Sequence, residues 1–253
     1  MIKFFRKTRQ QMIYENKTGK YLKYAIGEIV LVVIGILIAL SINNWNENRK
    51  EEIILKSNLS TILKIIGNDK AQLLTLIKSR KESKKQSTSI INSYKNNEPI
   101  DSKKFFKTFL LMVIEQKFDS DQSGFQRIKI SKMFETAKMD KIRDYMVIYT
   151  KALEDIKFLE FRTNNFSETL ESDLYHNDFY DKTWSHIRFE FDSTQFEKPK
   201  DSLDILSLLA NYSKVKGLIL RNEIAMSSAV KKYLFLIEKG NLLNEEINVY
   251  LNN

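Results

Sequence analysis

Three places in this 253-residue chain carry side chains whose type and spacing could do chemistry. The first is Glu28, a carboxylate at the edge of the apolar run Ile29–Leu40. An ionisable group in a membrane helix pairs with a partner helix or a polar cavity. Near the N-terminal end of such a helix it is instead favoured by the helix dipole and reached by interfacial water. Lys20 and Lys23, close by in sequence, favour the second reading. The second place is the pair His176 and His186, with Asp178, Asp181, Glu190 and Asp192 around them. Imidazole with carboxylate can bind zinc, but this spacing matches no compact ligand motif. The third is Asp119-Ser-Asp121 beside Gly124, which lacks the length and the closing glutamate of a calcium loop. The chain has no cysteine, no glycine-rich phosphate loop, no G-x-S-x-G and no H-E-x-x-H. The expectation is a non-catalytic protein with no cofactor and no metal.

Glu28 directs attention to the element that would hold it. Tyr24–Trp45 reads as a membrane-spanning helix, bordered by an aromatic residue at each end. Its 22 residues would reach about 33 Å, against a hydrocarbon core of about 30 Å. Ile26–Ile42 contains 12 Ile, Leu or Val residues, together contributing about −4 to −7 kcal/mol to insertion. An ionisable residue at the bilayer centre costs on the order of 3 kcal/mol, and Glu28 sits near the end, so insertion wins. Gly35 and Ala39 form a small-x-x-x-small pair through which two such helices could approach closely. The candidate anchor and partner residues are therefore Glu28, Gly35, Ala39 and Trp45.

Charge sets the orientation. Residues 1–23 hold seven basic side chains against one acidic, and the other 230 residues carry 34 basic and 31 acidic. A net +9 concentrated beside an apolar helix is the positive-inside signature rather than a nucleic-acid footprint. This places the N-terminus in the cytoplasm and the C-terminal domain in the periplasm of an inner-membrane, single-pass protein. The competing reading is a cleaved signal peptide, with Ala39-Leu-Ser41 as a loose cleavage site. Against it stand the long basic leader and the absence of a breaker through Asn43–Arg49. The tail 1–23 is either a surface-lying amphipathic helix or a disordered basic leader.

Beyond residue 45 the pattern is helical, and only 7 Gly and 2 Pro interrupt it. From Glu51 to Tyr94 the residues Leu55, Leu59, Ile62, Leu63, Ile66, Leu73, Leu74, Ile77 and Ile91 recur at three- and four-residue steps, weakening across polar Ser79–Ser89. Continuous with the anchor, this would be a stalk of about 60 Å. Pro99 terminates it, with Asp101 or Ser102 as the next N-cap. A phenylalanine-rich helix, 102–117, should be buried between others. A turn-rich loop, a short helix at 125–134 and a long helix from Asp140 to about Leu174 follow. Residues 176–200 break the pattern, and Ile187–Phe191 alternates as a strand would, so this aromatic segment reads as an irregular cap. A last long helix starts near Asp201 and ends at a Lys239-Gly240 cap, and a final short helix follows. The expected architecture is all-α: an N-terminal transmembrane helix (24–45) continuing into a membrane-anchored antiparallel helical bundle (46–253).

The segment Lys17–Glu47, and within it Gly27-Glu28, Gly35 and Asn43-Asn-Trp-Asn46, is similar to the hallmark of an uncharacterised family of single-pass membrane proteins of Bacteroidota-type bacteria. Phe118-Asp-Ser-Asp-Gln-Ser-Gly-Phe-Gln-Arg-Ile128 is a looser likeness, and Ile130-Ser-Lys132 departs from the family's small-residue turn. The resemblance implies membrane anchoring and helical structure, with no activity attached. The expected partners are the lipid bilayer and either a protein partner or a second copy of the chain, and not nucleic acid. The expected role is a tether, assembly or protein-interaction factor of the cell envelope. The alternative is an extracytoplasmic ligand-binding or sensor module acting through a separate membrane partner.

Overall fold

Nothing between Thr18 and Lys95 stops a helix, and the computed structural model, which describes residues 18–252, has one there. The helices are Thr18–Lys95 (α1), Ser102–Val113 (α2), Ser123–Ile128 (α3), Asp140–Tyr175 (α4), Phe179–Phe191 (α5), Ile205–Asn211 (α6) and Ser213–Asn252 (α7). Two 3-10 turns, Lys132–Glu135 and Ala137–Met139, link α3 to α4. The structure is 84% helical, with no strand among the described residues. Its contacts form two units, Met1–Lys56 and Ser57–Asn253, and α1 contributes to both. Residues 1–17 of the basic tail lie outside the described residues.

In the first unit, the Ile, Leu and Val side chains from Ile29 to Ile42 are all between 47% and 73% exposed. They point to every side of the helix, so no face of it is set aside for a protein core. An 18-residue window here has a mean hydropathy of 2.8 with none of it buried, and the helix is long and apolar enough to cross a membrane.

The second unit is a four-legged bundle whose pairings give its direction. Successive residues along α1 meet the chain that follows in reverse order: Ser89 pairs with Lys104, Ser79 with Gln116, Gln72 with Asp119 and Asp69 with Ser120. The chain thus returns antiparallel along α1. Helix α4 then runs in the direction of α1, with Tyr149 bonded to Asp69. Helix α7 returns against α4: Lys141 pairs with Glu246, Asp155 with Lys232 and Asp173 with Lys214, the partner number falling as the α4 number rises. This is the alternating order of an antiparallel bundle. Its second leg is unusual, because only α2 and α3 are helical and Glu115–Gln122 between them has no regular structure.

Local signals explain the ends. Asn97 takes φ 56° after α1, a left-handed conformation that asparagine tolerates. Glu98 N–H then closes onto Ser93 O at 2.8 Å, and Pro99 prevents continuation. Asp101 caps α2 by accepting Lys104 N–H at 2.7 Å. At one end of the bundle Phe105, Phe106 and Phe109 of α2 pack with Phe179 and Ile187 of α5, Leu208 and Leu209 of α6 and Leu218 of α7 in one apolar cluster.

Several expectations need correction. Residues 179–191 form a helix rather than an irregular cap or strand. Phe179, Thr183, His186 and Ile187 are buried at helical spacing, whereas Phe191 is exposed. Gly240 does not end a helix: α7 passes straight through it. A Cβ there would lie 3.0 Å from the Tyr149 ring and 3.1 Å from Ile66, so glycine allows close approach rather than a stop. The α2 helix stops at Val113 rather than Lys117. The polar stretch Ser79–Ser89 does not lose its inward face. Arg80, Ser83 and Ser87 are buried on it, and Asn222 of α7 donates to the hydroxyls of Ser83 and Ser87 at 2.9 and 2.7 Å. Leu74, by contrast, points outward.

Candidate functional site

A non-helical segment inside a helical bundle poses a specific problem, because its buried N–H and C=O groups have no helical partners. In Glu115–Gln122 side chains from the other legs fill that role. Gln72 of α1 accepts from Asp119 N–H at 2.7 Å through its Oε1 and donates to Asp119 O at 3.1 Å through its amide nitrogen. Arg80 of α1 donates to Gln116 O. Glu160 of α4 accepts Phe118 N–H at 3.0 Å through one oxygen and the Tyr233 hydroxyl of α7 through the other. Asp69 accepts the hydroxyls of Ser120 and Tyr149, each at 2.7 Å, on a single oxygen. The leg is therefore held by two buried carboxylate–tyrosine pairs, one facing α1 and one facing α7.

Electrostatics follow from the burial. Desolvation raises the carboxyl of Asp69, opposed by the Ser120 and Tyr149 hydrogen bonds. It raises Glu160 as well, opposed by Tyr233, the Phe118 amide and the field of Arg80. Burial likewise pushes both phenols above their usual range, assisted at Tyr149 by the Asp69 charge. Each tyrosine keeps its proton and donates it. Chemically the arrangement is self-contained: of the four hydrogen bonds to the two carboxylates, three come from hydroxyls and one from the Phe118 backbone N–H.

Gly124 lies in the first turn of α3. A Cβ there would meet Ile65 Cδ1 at 2.9 Å and Ile62 Cγ1 at 3.2 Å, so α3 lies directly on α1. Asp121 shapes the turn before it by accepting from both the N–H and the hydroxyl of Ser123, at 2.8 and 3.0 Å. A crevice of about 320 Å³ opens along the other side of the leg, lined by Glu115, Lys117 and Asp119 together with Lys157, Glu160 and Phe161 of α4. The Phe161 ring is 67% exposed.

The anchor residues stand apart from this site, all on the first unit. Gly35 has no atom within 4 Å of a Cβ position, and Gly35 and Ala39 are both exposed one turn apart. Trp45 is exposed under the Arg49 guanidinium, 5.9 Å from the ring centre. Glu28 is half-buried. The two histidines have separate surroundings. His176 Nδ1 lies 2.8 Å from Ser172 O, whereas His186 stacks on Phe106 in the core and faces Asp201 O. No group of three metal-binding side chains gathers among the described residues.

Sequence reading missed Asp69, Gln72, Arg80, Tyr233 and Glu160 as a set. The signal was phase: Asp69 and Arg80 continue the Ile62, Ile66, Leu73, Ile77 stripe, and Glu160 follows Tyr149, Leu153 and Ile156 at the same steps. A charged residue in register with a buried stripe is a candidate for a buried, partnered charge.

A family model described as a family of unknown function, DUF6090, matches residues 28–184, from the apolar segment through the clamped leg into α5. No curated protein and no solved structure matches the chain.

Proposed function

The chain belongs to DUF6090, a family of unknown function, and from that premise we propose a non-catalytic tether, assembly or protein-interaction factor of the cell envelope. In this reading it is anchored in the inner membrane by α1, with the N-terminus cytoplasmic and the bundle periplasmic. The observation that carries the reading is the all-round exposure of Ile29–Ile42, an apolar surface the chain's own fold leaves uncovered and lipid would cover. The bundle supports it too. Its buried carboxylates are occupied by its own hydroxyls and one backbone N–H, while Val147, Phe158 and Phe161 of α4 and Ile224 of α7 point outward, each at least 63% exposed. The test is crosslinking of the tagged full-length chain in its native membranes, followed by purification and identification of what is attached. A second copy or a partner chain at fixed ratio is expected. A chain that resists carbonate extraction but purifies alone as a monomer would overturn the interaction role and leave the anchor standing.

The crevice of about 320 Å³ beside Glu160 favours a second reading, a ligand-binding module, because it mixes carboxylates, lysines and an exposed aromatic ring in one concavity. Ligand-dependent protection of Phe161 and Lys157 from chemical labelling would support it, and uniform labelling across a metabolite panel would count against it.

A further inference from the structure

Aromatic rings crowd the corner where α4 ends and α5 begins, and some of them stay out of the core. Phe179 is fully buried, the Tyr180 ring beside it is half-buried, and Tyr175 and Trp184 are 63% and 47% exposed. Tyr175 stacks on Tyr180 with 4.2 Å between ring centres, and the Tyr180 and Trp184 rings meet edge to face at 6.0 Å. The Tyr180 hydroxyl donates to Glu171 Oε1 at 2.8 Å, which fixes the middle ring. Two helices thus present one continuous aromatic surface, of the kind enriched at protein interfaces.

Charge selects what would cover it. Residues 168–184 hold five acidic side chains, one lysine (Lys182) and no arginine, in a chain that is +9 overall. Lys182 is paired with Asp178, and Asp173 with Lys214 of α7. Glu168, Glu171 and Asp181 form no ion pair among the described residues. Glu168 and Glu171 precede Tyr175 by seven and four residues on one face of α4, and Asp181 precedes Trp184 by three on α5. Helix α4 has no basic residue in its last turn, so its carbonyl end adds negative potential there. Elsewhere on the bundle exposed rings carry a cation of the chain itself: Phe158 under Arg162, Phe166 under Arg221 and Phe235 under Lys239, at 5.7, 5.5 and 5.0 Å. No such cation lies over Tyr175, Tyr180 or Trp184 among the described residues. Open π faces beside carboxylates attract ammonium and guanidinium groups and repel phosphates, which disfavours nucleic acid and anionic lipid here.

We propose that the Tyr175–Tyr180–Trp184 surface is the docking site for a lysine- or arginine-bearing segment of a partner protein, held by cation–π contact with the rings and by the carboxylates of Glu168, Glu171 and Asp181. The inference rests on the protein-interaction reading and adds the chemistry of the partner to it.

The test is calorimetric titration of the full-length chain in detergent with a synthetic peptide of alternating arginine and glycine, and with its glutamate–glycine counterpart. Saturable binding of the first and none of the second is expected, weakening as salt screens the charges. Tyr175→Leu, which keeps bulk and removes the π face, should weaken binding about two- to fivefold. Glu168→Gln with Asp181→Asn should weaken it roughly tenfold and reduce the salt dependence. All three positions are exposed, so melting temperatures should hold. Glu154→Gln, about four turns earlier on α4, should change nothing. Equal binding of the two peptides, or affinity for the arginine peptide unchanged in both test variants, would overturn the proposal. So would self-association abolished by Trp184→Ala, because a second copy would then be the occupant. Crosslinks in native membranes that all map away from Tyr175 and Trp184 would overturn this inference and leave the interaction reading standing, whereas a chain that purifies alone as a monomer would end both.

Discussion

The clamp on the non-helical leg is most directly tested at Asp69, which is 3% exposed and holds the hydroxyls of Ser120 and Tyr149 on one oxygen. Asp69→Ala removes the acceptor for both. Each stranded buried hydroxyl costs about 1–3 kcal/mol, and relief from burying the carboxylate offsets part of this. The net loss should be about 2–4 kcal/mol, or a melting temperature lower by roughly 4–16 °C at about 2–4 °C per kcal/mol for a domain this size. Asp69→Asn keeps a carbonyl oxygen that can accept both hydroxyls and removes the charge, so it should stay within about 1 kcal/mol of the parent. The pH dependence follows from the direction of the shift. Burial raises the folded carboxyl above its ordinary 3.8, so the folded chain binds the proton more tightly than the unfolded one. That contribution is present at low pH and is lost as pH rises through the folded value. Glu160 acts with the same sign. The exposed Asp173 and Asp178 are lowered by Lys214 and Lys182 respectively, and lose their contribution only below the ordinary range. The bundle should therefore weaken as pH rises above the ordinary carboxylate range, and Asp69→Asn with Glu160→Gln should flatten that slope. The assay is near-ultraviolet circular dichroism of the full-length chain in detergent, melted at several pH values. An Asp69→Ala variant no less stable than Asp69→Asn would refute the reasoning.

Three further outcomes follow. Gly240→Ala should lower stability by about 1–3 kcal/mol despite the better helix propensity of alanine, because the Tyr149 ring it would crowd is held by Asp69 and stacked on Phe125. Gly67→Ala, with nothing within 4 Å of the new methyl, should instead stabilise by about 0.5–1 kcal/mol, and paired thermal melts separate the two. Ile34→Arg, in the middle of the exposed apolar run, should cost about 3 kcal/mol of insertion and raise the fraction released by carbonate, whereas Ile34→Leu should leave it unchanged.

Much of the fold was legible because it rests on local rules. The three- and four-residue steps in α1 and α4, Pro99 after α1 and the Asp101 cap all do in the structure what their chemistry dictates. The alternation at Ile187–Phe191 misled, because two-residue alternation over five positions also fits a helix that buries Phe179, Thr183, His186 and Ile187. Gly240 misled for another reason: a glycine that ends a helix and one that makes room for a ring look alike until the ring is placed. The clamp was least legible, because nothing local marks Gln72 as the partner of Asp119. Such pairs are settled by tertiary contact, and a polar side chain in phase with an apolar stripe was the trace they left.

The bonds that close the irregular leg join residues 42, 47, 51 and 36 positions apart, and its tyrosine supports reach 80 and 73 positions away. During synthesis Gln116–Ser120 leaves the ribosome with Gln72 and Asp69 already made, but well before Glu160 and much longer before Tyr233. Three of its four side-chain-to-backbone bonds can then close at once, and only the Phe118 N–H waits for a partner still to be translated. The side of this segment that faces α1 can therefore order first, and the side held by Glu160 and Tyr233 closes only once α7 has been made.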